Sequence, residues 1–442
     1  MTALPEAFVA RMAQRLGDEL PDFLRAMNEP YQRGIRFNPL KPTAQQPDGV
    51  LDPVPWEMHA RYLTLESDAG AQPLHEAGAY YLQEPSAMLP AAVMNPQPGE
   101  AILDLCAAPG GKSTQLALRM NGQGLIVCNE PVPKRAQILS RNIERMGVVN
   151  ALVVSAMPDK LAQRWREAFD GVQVDAPCSG EGMFRRHPET RDEWTEESPA
   201  GCAKRQAEIL DAAARMVRLG GRIVYSTCTL NREENEETVS AFLDRHDDFH
   251  LQAFHLPGAS APKGMLTCYP HRMRGEGHFV ALLVREGDQA AYRAPDRSLP
   301  APDKEQIRLY QAFAGKNAPV PNKMLGSVMV SMPDCPDVRG LKVLRCGLHL
   351  GEARGKLFLP DHAWAVACNR PDFPMIDVSK AQAAAYLAGE VILADEALRG
   401  WLLVTLHGLP LGWGKASDGM VKNHYPKGLR RETRIGAVQA SK

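Results

Sequence analysis

Four stretches between residues 100 and 230 limit the fold more than any other feature. "EAILDLCAAPGGKSTQLALRM", "GLIVCNEPVPKRAQILSRNIERMG", "VQVDAPCSGEG" and "KRQAEILDAAARMVRLGGRIVYSTCTL" repeat the parts of one pattern: apolar strand, small-residue turn, amphipathic helix. This is the alternation of an open α/β sheet, whose ligands lie beyond the carboxyl ends of the strands. The pattern runs from "AGAYYLQEPSAMLPAAVM" to "GHFVALLVREG", so an α/β domain is expected over 76–285.

The flanks read differently. Residues 1–75 mix a helical opening with "YQRGIRFNPLKP" and a proline-punctuated stretch, the pattern of a small accessory domain. "REGDQAAYRAPDRSLPAPDKEQ" breaks all periodicity with three prolines and many charges, which predicts a linker over 286–303. Beyond it come short strand-like runs, "LGSVMVSM", "LKVLRCGLHLG" and "GWLLVTLHGLPLGWG", with one helix at "SKAQAAAYLAG". Small α+β or β modules would account for them.

Charge and cysteine content narrow the setting. Lys plus Arg (51) nearly cancels Asp plus Glu (52), so a nucleic acid would have to be met by local basic patches and not by a global field. The nine cysteines are odd in number and scattered without close pairs. They form neither a disulfide framework nor a metal ribbon, and fit the reduced thiols of a cytosol. The amphipathic, doubly charged N-terminus has no h-region, and no later stretch approaches the roughly 18 apolar residues of a membrane span. The expectation is a cytoplasmic protein with no membrane partner, and a monomer.

"ILDLCAAPGGKST" reads as strand, turn and helix start. Gly110 and Gly111 would let a ligand approach the backbone, and free N–H groups at the helix start can hold a carboxylate. The stretch matches neither the dinucleotide fingerprint nor the phosphate loop in register. The next strand ends in Glu130, 19 residues after Gly111, where α/β folds place an acid on ribose hydroxyls. Plain loop geometry and a solvated helix-start carboxylate are the alternatives. Together the two features suggest an adenosine-type ligand bearing a carboxylate, such as S-adenosyl-L-methionine.

As thiols, Cys106, Cys128, Cys202, Cys268, Cys335, Cys346 and Cys368 read as small apolar core residues. Cys178 and Cys228 differ. Each sits at a predicted strand C-terminus among proline or hydroxyl residues, on the same edge as the presumed ligand turn.

"LDLCAAPGGKSTQ", "VDAPCSGEGMFR" and "YSTCTLNREENE" resemble the motifs of the Nop/Sun family of RNA cytosine-5 methyltransferases. "YYLQEPSAM", "PHRMRGEGHF" and "GWGKASDGMVKNHYPKGLR" resemble its bacterial 16S ribosomal RNA branch, the RsmF type. The resemblance covers essentially the whole chain. It implies a Rossmann-like S-adenosylmethionine-dependent methyltransferase sheet with a small N-terminal RNA-binding domain, a ferredoxin-like module over 304–370 and a PUA-like RNA-binding module over 371–442. The partner implied is 16S ribosomal RNA or the small ribosomal subunit.

The implied chemistry can be rebuilt from elementary reactivity. Carbon 5 of cytosine is too poor a nucleophile to take a methyl group from a sulfonium unaided, so a thiolate must first add to carbon 6. The charge developing at N3 then needs a proton or hydrogen bond, and the hydrogen on carbon 5 must later be removed. Asp175 is expected at N3 and, by resemblance, at the cofactor. Resemblance also makes Cys228 the attacking thiol and Cys178 the one that assists release, although a Pro-Cys motif like that of DNA cytosine methyltransferases would nominate Cys178. Lys112 would hold the cofactor carboxylate or raise thiolate character nearby. Cys106, Ala107, Ala108, Pro109, Gly110, Gly111, Lys112, Glu130 and Asp175 form the implied cofactor site.

The sequence departs from the family on the third strand, where Met157 stands at the spacing of an acid that many relatives place near the adenine. Phosphate contact and base stacking are expected from Lys422, Lys427, Arg430, Arg431 and Arg434, with His424 and Tyr425 between them. "RGIRFNPLK" resembles the family's N-terminal RNA-facing segment. Competing readings are a transfer RNA methyltransferase, which the catalytic motifs do not separate, and a ribosome-assembly factor that binds without methylating. Intact Cys228, Cys178 and Asp175 argue against the latter, and the "STCT" cysteine against a DNA enzyme.

Overall fold

A computed structural model of the chain describes residues 3–291, 295–315, 317–367 and 372–430. Two helices, Glu6–Leu16 and Leu20–Met27, open the fold. Four antiparallel strands follow in the order β2-β3-β1-β4: β1 (Arg33–Phe37), β2 (Val50–Pro53), β3 (Ala60–Leu63) and β4 (Tyr80–Leu82). This sheet takes in β4, past residue 75.

The central sheet is built on five parallel strands: β5 (Ala101–Asp104), β6 (Leu125–Asn129), β7 (Ala151–Ser155), β8 (Phe169–Asp175) and β9 (Val217–Thr227). Their order is β7-β6-β5-β8-β9. The first four are buried almost throughout, as strands covered on both faces must be. Helices Gly111–Arg119, Pro133–Arg145 and Ser198–Met216 are among those that cover them. The strand order reverses between β5 and β8, and at such a switch point the loops diverge and leave a crevice.

The sheet continues through β10 (Phe249–Leu251), a separate hairpin of β11 (Phe254–Leu256) and β12 (Ala259–Ala261), then β13 (Met265–Cys268) and β14 (His278–Arg285). β14 runs antiparallel to β9, and β10 and β13 both pair with β14. Residues 295–303 of the stretch expected to be a linker are tied down. Asp296 is buried and accepts backbone N–H bonds from Ser298, Leu299 and Val338.

Next come β15 (Lys323–Leu325), β16 (Val328–Ser331), β17 (Lys342–Cys346), β18 (Leu348–Arg354) and β19 (Leu357–Pro360). β17 leaves its own module and pairs antiparallel with β7 as the edge of the central sheet. The other four form an antiparallel sheet in chain order, β15-β16-β18-β19, flanked by helices Lys304–Phe313 and His362–Ala367. No βαβ crossover of the ferredoxin-like kind joins those strands. The last sheet holds β20 (Met375–Asp377), β21 (Ile392–Leu393), β22 (Gly400–Leu406), β23 (Leu409–Ser417) and β24 (Met420–Asn423), ordered β20-β22-β23-β24-β21. No helix among the described residues is long and apolar enough to cross a membrane.

Candidate active site

Beyond the carboxyl ends of β5, β6, β8 and β9 lies a cavity of about 520 Å³, within the range of small-molecule sites. Cys106, Ala108, Glu130, Asp175, Cys178 and Cys228 all face it.

Strand register brings the two thiols together. β8 and β9 are parallel neighbours with Asp175 opposite Ser226, so the residues just past each strand end fall side by side. Cys178 Sγ and Cys228 Sγ lie 3.2 Å apart, both as free thiols. The contact with Cys228, together with burial, pushes the Cys178 thiol well above its ordinary range.

Asp175 sits beside the pair. Its Oδ2 accepts from Lys112 Nζ at 2.8 Å and its Oδ1 from Ser226 Oγ at 2.8 Å. Burial alone would raise this carboxyl, but the Lys112 ammonium, with His278 beside it, outweighs burial and holds it well below its usual range. Burial pulls Lys112 down, and Asp175 more than reverses this, so the ammonium is firmly protonated. His278 Nε2 is 3.6 Å from Asp175 Oδ1 and has no hydrogen-bond partner among the described residues; burial and then Lys112 keep the ring neutral. At the end of β5, Asp104 is wholly buried, accepts from Ser113 Oγ at 2.6 Å, and is raised by burial to about 7.

The glycine turn has a packing role. Ala107, Pro109, Gly110, Gly111 and Lys112 are not among the residues lining the cavity. A Cβ on Gly110, at φ +112°, would press on Leu139, and one on Gly111 on Gln83 and Tyr81. These glycines permit close packing against the helix Pro133–Arg145 and the N-terminal segment. Lys112 is joined to the site by its ion pair with Asp175. Glu130 is buried at the cavity wall, its oxygens partly engaged by Val132 N–H at 2.9 Å and Arg135 at 3.4 Å. Met157 does line the cavity, and so does Asp159 two residues on.

The basic segments also sort themselves. Arg36 and Lys41 of "RGIRFNPLK" are buried, not RNA-facing. Arg36 donates to Gly111 O, Thr114 Oγ1 and Gln83 Oε1, and Lys41 to the carbonyls of Ala77 and Arg145. Tyr425 is buried against Tyr386 and His362, which removes it as an open stacking platform. His424 is exposed and lies 4.4 Å from the Trp401 ring, with Lys422 and Lys427 also exposed. Cys368, Arg431 and Arg434 fall outside the described residues.

Reading single residues missed what holds the thiol loops in place. Within "NREENEE", Glu233 pairs with Arg11 and Glu236 with Arg15 of the first helix, while Glu234 is buried beneath the loops. Two adjacent acids in a stretch following a strand end were the available signal, but nothing in them tells an outward acid from an inward one.

A parallel sheet of this order, with a cavity at its switch point and an acid at the end of β6, defines a Rossmann-like methyltransferase. Comparison with known proteins narrows the class. Residues 91–284 match the family model "16S rRNA methyltransferase RsmB/F", and 4–85, 322–368 and 373–431 match the N-terminal, first C-terminal and PUA domains of RsmF. The ribosomal RNA small subunit methyltransferase F of Shewanella amazonensis is 31% identical over 98% of this chain and 99% of its own. That of Escherichia coli O1:K1 is 31% identical over 98% and 97%. Among solved structures, a methyltransferase homolog protein from Pyrococcus horikoshii is 28% identical with a TM-score of 0.55, covering 64% of this chain and 95% of its own. NSun6 from the same organism, solved with SFG, shares the fold at 22% identity and a TM-score of 0.56, covering 64% and 99%. The chain belongs to the 16S rRNA methyltransferase RsmB/F family and is an RNA methyltransferase.

Proposed function

We propose that the protein methylates carbon 5 of cytidine in 16S ribosomal RNA through a covalent bond between Cys228 and carbon 6 of the base. The observation that carries this reading is the pair of thiols 3.2 Å apart at the wall of the cavity. A single core cysteine needs no such partner.

The cavity suits S-adenosyl-L-methionine. Its volume is adequate, Glu130 stands at the wall to meet ribose hydroxyls, and Met157, Pro158 and Ile209 offer apolar surface to an adenine ring. When bound, the cofactor supplies an electrophilic methyl group. The remaining chemistry belongs to the side chains.

Cys228, its proton given up to solvent, donates a sulfur electron pair to carbon 6, and the carbon 5–carbon 6 π pair makes carbon 5 nucleophilic. Asp175, held ionised, can only accept a hydrogen bond. Asp175 is left to accept from the exocyclic amine, and the Lys112 ammonium paired with it offsets the charge developing at N3 without touching the base. After methyl transfer a base must take the carbon 5 proton, so that the C–H pair restores the double bond and the sulfur–carbon pair returns to Cys228. Cys178 is kept a thiol chiefly by its contact with Cys228. Once Cys228 is bonded to carbon 6 its sulfur no longer makes that thiol contact, and Cys178 is available to act as base or relay.

Bisulfite mapping tests the product. Incubation with S-adenosylmethionine and both 16S and transfer RNA should leave conversion-resistant cytidines in 16S RNA alone. Resistance confined to transfer RNA would change the substrate, and methyl incorporation without resistance would overturn carbon 5.

A further inference from the structure

Glu234 is fully buried and lies six residues past Cys228, yet its carboxylate accepts four donors. These are Ser179 N–H at 3.1 Å, Ser179 Oγ, Asn231 Nδ2 at 2.7 Å and Gln206 Nε2 at 2.7 Å. Gln206 Nε2 also donates to the Pro177 carbonyl at 3.0 Å. Pro177 and Ser179 are the residues on either side of Cys178. Glu234 and Gln206, bonded to each other, therefore bracket that cysteine through its own backbone.

The same carboxylate reaches the other thiol loop. Ser179 Oγ meets Thr229 Oγ1 at 2.8 Å, next to Cys228, and Asn231 Nδ2 donates to Thr229 Oγ1 at 3.0 Å. Asn231 Oδ1 accepts from Glu234 N–H at 2.9 Å. Burying a carboxylate is costly, and a purely structural plug would be met as well by an apolar side chain. Here the donors all belong to the two loops or to the bracket between them. Neither Glu234 nor Gln206 lines the cavity, so neither can touch the reacting base.

We propose that Glu234 and Gln206 are positioning residues that fix Cys178 against Cys228, so that the second thiol can serve the release step. The inference rests on the reading that Cys228 attacks and Cys178 releases. Glu234→Gln keeps the shape, removes one acceptor and turns an amide N–H₂ toward donors. Of the two thiols, methyl transfer needs only Cys228 and should continue. Release needs the aligned pair and should slow.

The test compares wild type, Glu234→Gln, Gln206→Met and Cys178→Ser on labelled 16S RNA with S-adenosylmethionine. Glu234→Gln should transfer methyl in a single turnover at near the wild-type rate, accumulate a covalent protein–RNA adduct on a denaturing gel, and lose about 10-fold to 100-fold in kcat, the usual cost of a small misplacement. The ratio kcat/KM, set by the steps up to methyl transfer, should not move, so the apparent KM should fall with kcat. Gln206→Met removes only the amide and should give the same pattern more mildly, which keeps the test open if Glu234→Gln fails to fold. An adduct from Cys178→Ser with none from either bracket variant would overturn the positioning role and leave the division of labour standing. No adduct from Cys178→Ser would overturn the reading on which both rest.

Discussion

The thiol loops after β8 and β9 face a cavity, whereas the basic strand β1 turns Arg36 inward and Lys41 just beyond it is buried too. Both regions carry residue types that suggest chemistry or RNA. The difference is where the sheet puts them. Residues just past parallel strand ends emerge at a switch point and have nowhere to go but the crevice. Arg36 lies between the N-terminal sheet and the helix Gly111–Arg119, where orphan carbonyls and hydroxyls need donors. Its guanidinium is a fastener that holds the accessory domain against the glycine turn.

That contrast can be broken most sharply at Arg36. Arg36→Met leaves Gly111 O, Thr114 and Gln83 without their donor and removes charge near buried Glu57. Denaturant unfolding should show a loss of roughly 3 to 5 kcal/mol, the range for removing one partner of a buried charged network. RNA affinity of the folded fraction should stay unchanged. A stable variant with weakened RNA binding would return β1 to the RNA surface.

The smaller effect belongs to the exposed basic residues near the C-terminus. Replacing Lys422, Lys427 and Arg430 with alanine should leave stability within experimental error and flatten the salt dependence of RNA binding, by up to roughly 0.7 to 0.9 in log-log slope for each phosphate no longer neutralised. Cofactor affinity should not change. An unaltered slope would assign the RNA grip to another face.

The fold and the thiol pair were legible for different reasons. Strand, turn and helix alternation is local, so the parallel sheet could be read from apolar runs and small-residue turns. The meeting of Cys178 and Cys228 depends on register between β8 and β9, which a sequence does not print; the family motifs stood in for it. β17 was not legible as part of the central sheet, because "LKVLRCGLHLG" looks the same whether it pairs with its own module or with β7. Glu234 was hidden for the same reason as Arg36. A charged residue is read as solvated until its buried partners are known, and those partners come from distant segments: Ser179 and Gln206 for one, Gly111 and Thr114 for the other.

The central claim is that two thiols in contact divide the reaction between them. The most direct measurement is a denaturing gel of labelled 16S RNA incubated with Cys228→Ser or Cys178→Ser protein, with and without S-adenosylmethionine. Cys228→Ser should form no adduct and no product, since a serine hydroxyl at neutral pH is a far weaker nucleophile. Cys178→Ser should form a stable adduct only when the cofactor is present. The reverse pattern, an adduct from Cys228→Ser and none from Cys178→Ser, would make Cys178 the nucleophile and contradict the account.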